Sequence, residues 1–102
     1  MDPHRRAERR SVAYHRAIAE RLASEPAIVE RARARVRTWQ RTGQVHPGYT
    51  AVWAHVLALS LDEIRAALVA ETDTMIAARQ STPFAGALSP RERWTLWRSV
   101  KA

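Results

Sequence analysis

The sequence has no cysteine and only three glycines, Gly43, Gly48 and Gly86. Without cysteine there are no disulfides, thiolate metal sites or cysteine nucleophiles, and nothing signals an oxidising compartment. So few glycines leave no room for a glycine-rich phosphate loop, and nucleotide binding of that kind lacks support. Lysine is almost missing as well, Lys101 standing alone against sixteen arginines. No apolar run is long enough to span a bilayer, and the charged opening MDPHRRAERR is not followed by an apolar signal core. These absences lead us to expect a cytoplasmic protein with no membrane contact.

Charge and helix signals dominate what is present. The net charge is +7 over 102 residues, a length that suits one domain with a modest core. Residues 1–41 hold eleven arginines against five acids, residues 42–80 two against four, and residues 81–102 four basic residues against one acid. Two positive ends around a slightly negative middle favour an acidic partner, either nucleic acid or an acidic protein surface.

Five helices follow from periodicity and capping. The first spans about Asp2 to Ala23, with a stripe of Tyr14, Ile18 and Leu22. Its residues 1–11 form a basic arm, Arg5, Arg6, Arg9 and Arg10 around Glu8, either solvated and open to fraying or a contact surface. Ser24 before Pro26 is expected to cap the second, which carries Ile28, Ala32, Val36 and Trp39 inward and ends at Gly43. Its alternating Arg31, Arg33, Arg35 and Arg37 spread round the exposed circumference, as solvated side chains or as contacts to phosphate or carboxylate. The third, with Tyr49, Val52, Trp53, Val56 and Leu57, is the best centre for the core. A fourth begins with the capping box Ser60–Glu63 and is expected to run to about Arg79. Residues 81–102 read as a Pro-Phe-Ala-Gly loop followed by a last helix, with Ser89 as N-cap, Pro90 at the first position and Glu92 closing a second capping box. The expected fold is a single all-α domain.

Candidates for chemistry are few. His4, His15, His46 and His55 follow no metal-ligand spacing, and His55 suggests a hydrogen-bonded structural histidine. Asp62 and Glu63 are explained by helix initiation, while Glu71 and Asp73 point about 200° apart on a helix. No catalytic residue, metal or cofactor is expected. A helix-turn-helix reader fits poorly, because the helix after the arginine-rich one is apolar rather than polar.

Three segments carry a resemblance: Tyr14-His15-Arg16-Ala17-Ile18-Ala19, the Arg-Ala-Arg helix from Arg31 to Trp39, and Thr82-Pro83-Phe84-Ala85-Gly86 with Ser89 to Trp94. Over Tyr14 to Arg98 the chain resembles short, helical bacterial antitoxins of two-gene toxin–antitoxin modules, including modules with a nucleotidyltransferase-like toxin. The resemblance implies an antitoxin that binds its cognate toxin and occludes the active site, and it carries over no catalytic residue. A small basic nucleic-acid-binding regulator is the alternative. For the docking surface, Phe84 and Trp94 are expected to seat the last helix, while Arg91, Arg93, Trp97 and Arg98 face the partner. The arginines Arg31, Arg33, Arg35 and Arg37 are the second candidate surface.

Overall fold

A computed structural model of the protein describes residues 2–100; Met1, Lys101 and Ala102, parts of the expected arm and tail, lie outside the described residues. Among the described residues the chain forms six helices and no strand: α1 (Pro3–Arg21), α2 (Ala27–Thr42), α3 (Pro47–Leu57), α4 (Leu61–Leu68), α5 (Asp73–Arg79) and α6 (Pro90–Ser99). The fold is all-α, with α3 central and packed on α2, α4 and α5, while α1 lies against α4 and α6.

Local chemistry explains most boundaries. Asp2 caps α1 by accepting from the His4 N–H at 3.0 Å, and Pro3 occupies the first helical position. Both expected capping boxes are present, Ser60–Glu63 on α4 and Ser89–Glu92 on α6. Gly43, at φ 68°, ends α2 in the left-handed region that glycine enters without strain. Ser24 does not cap α2. It remains in the closing turn of α1, where its hydroxyl donates to the Arg21 carbonyl at 3.2 Å, and α2 starts at Ala27 with Pro26 in the cap position and no side-chain cap bond.

The expected fourth helix is two. It stops at Leu68 and restarts at Asp73, because Thr72 caps α5 by accepting from the Met75 N–H at 3.2 Å. Arg79 then reaches back from the end of α5. Its Nη1 donates to the carbonyls of Leu68 at 3.3 Å and Ala70 at 2.6 Å, satisfying oxygens that the end of α4 leaves without intrahelical donors. Arg79 is only 4% exposed, and burial pulls its pKa below the ordinary value while Glu71 and Glu8 oppose that shift.

The core is built round Trp53, which is fully buried and donates its indole N–H to the Ala78 carbonyl at 2.9 Å. His15 stacks on it with ring centroids 6.3 Å apart, and Phe84 stands edge-on to both rings. The structural histidine is therefore His15, 1% exposed, whereas His55 is exposed. The His15 Nδ1 faces the Ser11 carbonyl at 2.7 Å and must donate there, which leaves Nε2 to accept from the Thr82 hydroxyl at 2.8 Å. The same hydroxyl oxygen accepts from the Phe84 N–H, and the Tyr14 hydroxyl donates to the Phe84 carbonyl at 2.8 Å. Thr82 and Phe84 thereby tie the Pro-Phe-Ala-Gly loop to α1.

Burial is the main force that lowers the His15 pKa to about 4; Arg79 adds to the effect and the bond to Ser11 works against it. The folded value lies below the unfolded one near 6.5, so the unfolded chain takes up the proton first. The stabilisation is complete above pH ~6.5, falls by about 3 kcal/mol as the pH drops toward 4, and is flat below. Urea unfolding at pH 7 and pH 5 should show most of this loss before most carboxylates titrate, and His15→Gln should flatten the interval. An unchanged pH slope in the variant would assign the acid sensitivity elsewhere.

Candidate partner-binding surface

The last helix is attached in a different manner from the rest. No residue of α6 is fully buried. Leu96 packs on the core, the Glu92 carboxylate pairs with Arg21, and the guanidinium carbons of Arg10 and Arg93 each lie 5.7 Å from the Trp97 ring centroid. Because Glu92 meets Arg21 and Trp97 meets Arg10, α6 runs antiparallel along α1. This packing leaves the Arg93 Nε buried without a hydrogen-bond partner.

The two tryptophans exchange their expected places. Trp94 is 62% exposed, while Trp97 is half-buried against α1. Three residues correspond to about 300°, so the two rings lie only about 60° apart on one side of α6. Either could face inward. Leu96 on the core and Glu92 on Arg21 set the rotation of the helix, and that rotation turns Trp97 toward Arg10 and Trp94 outward. Phe84, expected to seat the last helix, is core at 1% exposure, with its ring against His15 and Trp53.

The outward face of α6 therefore reads Arg91, Trp94, Thr95 and Arg98, all exposed and spaced i, i+3, i+4 and i+7. Arg93 belongs to the inner side with Trp97. On α2 the four candidate arginines divide. Arg33 donates from Nε and Nη2 to the Leu57 carbonyl at 3.0 and 2.8 Å, which caps α3, and it pairs with Glu30. Arg35 donates from Nη1 to the carbonyls of Pro83 and Ala85 at 3.3 and 2.7 Å, which holds the loop against α2. Arg31 and Arg37 are exposed and make no polar contact among the described residues. Sequence reasoning missed the capping arginines because the receiving carbonyls lie between 9 and 50 residues away.

Among the described residues no three histidine or carboxylate side chains converge as metal ligands, and no helix is long and apolar enough to cross a membrane. Against family models, curated proteins and solved structures the chain finds no match.

An exposed tryptophan and a core phenylalanine should respond oppositely to truncation. Trp94→Ala is expected to change stability by less than about 0.5 kcal/mol, since surface substitutions rarely do more. Phe84→Ala should cost about 3–5 kcal/mol, because it removes a buried ring and leaves a cavity between His15 and Trp53. Thermal melts of the two variants beside the parent chain measure both; a large loss on Trp94→Ala would show that its ring supports the fold.

Proposed function

We propose that the protein acts by binding another protein, as an antitoxin-like chain that covers the active site of a cognate toxin through the outward face of α6. The observation that carries this reading is Trp94, the most exposed large apolar side chain among the described residues, set between Arg91 and Arg98 on a face that contributes no fully buried residue. Tryptophan and arginine contribute most often to binding hot spots. The two guanidinium groups can each receive a carboxylate through paired hydrogen bonds. A nucleotidyltransferase-like toxin with metal-binding carboxylates in its cleft would supply such acceptors beside a pocket for the indole ring.

The reading requires no reaction on the antitoxin's side, only occlusion. It fits the segments by which the sequence resembles small bacterial antitoxins, two of which, around Tyr14-His15 and Thr82–Gly86, meet in the core and tie to α1 the loop that leads into α6. A basic nucleic-acid-binding role is the second reading, supported by the exposed Arg5 and Arg6 on the opening turns of α1.

A growth assay tests the first reading. The product of an adjacent gene should arrest growth when expressed alone and be neutralised by this chain. Neutralisation should fail with Arg91→Glu/Trp94→Ala/Arg98→Glu, although the variant stays folded by circular dichroism. If neither neighbouring product is toxic, or if the triple variant neutralises as well as the parent, this assignment falls. A gel-shift titration that binds oligonucleotide and weakens steeply with salt would move the weight to the second reading.

A further inference from the structure

A second surface lies apart from the outward face of α6. With nineteen residues α1 is about 28 Å long, whereas α5, with seven, spans about 10 Å. Residues 2–10, the opening turns of α1, are all exposed. Beneath them is an open groove of about 890 Å³, bounded by α1, α5 and the end of α6. Val12, Ile76 and Val100 contribute its apolar part, and Arg5, Arg9 and Arg16 line its α1 side. Arg5, Arg9, Val12 and Arg16 are spaced i, i+4, i+7 and i+11, so they form one stripe about 16 Å long.

Arg79 also lines this groove. The charge is almost wholly removed from water, and among the described residues its polar partners are the Leu68 and Ala70 carbonyls, with no carboxylate in ion-pair range. A buried cation held by carbonyl dipoles, with Glu71 and Glu8 acting on it only from beyond ion-pair distance, still gains from an arriving anion. Glu8 and Glu71 are on the lining too, so four arginines face two carboxylates.

We propose that this groove binds an acidic amphipathic helix of a protein partner, with the partner's carboxylates toward the Arg5–Arg16 stripe and its apolar side on Val12, Ile76 and Val100. A helix in a groove presents one face with anchors at i, i+3, i+4 and i+7, and the α1 stripe offers it a single helical face of about three turns. Nucleic acid fits less well. Glu8 and Glu71 oppose a continuous phosphate chain, and no aromatic residue lines the groove to stack a base. The assignment stands independently of the proposed role of α6, because neither Trp94 nor Arg91 nor Arg98 takes part in it.

The test uses the full chain and a fluorescein-labelled synthetic helix with glutamates on one face and leucines on the other, followed by anisotropy at low salt. Amide shifts on titration should concentrate at Val12, Ile76 and Val100. Arg5→Glu/Arg16→Glu should weaken binding roughly tenfold or more, as expected for two lost charge contacts. The control reversal on α2, Arg31→Glu/Arg37→Glu, should change it less than about twofold if attraction is local rather than a property of net charge. Equal weakening by both reversals, shifts located elsewhere, or no binding would overturn the proposal. So would tighter groove binding by a single-stranded oligonucleotide of the same charge, which would make this a nucleic-acid surface.

Discussion

Every helix that ends without a left-handed glycine leaves carbonyl oxygens that need donors, and this constraint organises the molecule. With three glycines, only α2 closes in that way, at Gly43. Arginines serve elsewhere. Arg79 donates to the end of α4, Arg33 to the last residue of α3, and Arg65 to the Ala19 carbonyl near the end of α1 at 3.1 Å. Arg35 does the same for the loop carbonyls of Pro83 and Ala85. Each guanidinium comes from a different segment than the carbonyl it serves. The caps are therefore also tertiary links, joining α5 to α4, α2 to α3, α4 to α1 and α2 to the loop.

Placing Arg79 where it can cap α4 requires α5 to turn back toward α4. That turn brings Ala78, its neighbour, to the Trp53 indole, so the cap and the centre of the core are fixed together. From Trp53 the arrangement extends through His15 and Phe84 to the loop, and from the loop to the start of α6 at Pro90. The order of dependence runs outward, and so does the loss of burial. A helix with no fully buried residue, entered from a firmly held loop, is well positioned but has surface available for contact.

The sequence made the self-referring features legible. A capping box is a contact over three residues and a stripe is a spacing along one helix, so Ser60–Glu63, Ser89–Glu92 and the Ile28–Ala32–Val36–Trp39 stripe appear where they were read. What stayed hidden depends on distant segments. The α4–α5 break carried only a faint local sign, Thr72 followed by Asp73, inside a segment whose apolar spacing continued. Whether His15 or His55 is structural depends on what packs opposite: Trp53 and Thr82 meet the first, solvent the second. Trp94 and Trp97 are close in angle, so periodicity placed both on one side of α6. The choice between them rests on Arg21, more than seventy residues away.

The capping role also changes how the net charge of +7 acts on a partner. Arginines that donate to carbonyls keep their charge, but those dipoles partly offset it, and Arg79 lies below the surface. Arg21, Arg33 and Arg65 each face a carboxylate within ion-pair distance. Exposed arginines without such partners, among them Arg5, Arg16, Arg31, Arg37, Arg91 and Arg98, fall on separate faces of α1, α2 and α6. At physiological salt charges screen over about 8 Å, less than the width of one helix with its side chains. A partner docked on one face therefore responds mainly to that face. On the two proposed surfaces, recognition is then set by what stands beside the arginines: the Trp94 ring on α6, and Val12 and Ile76 in the groove of α1.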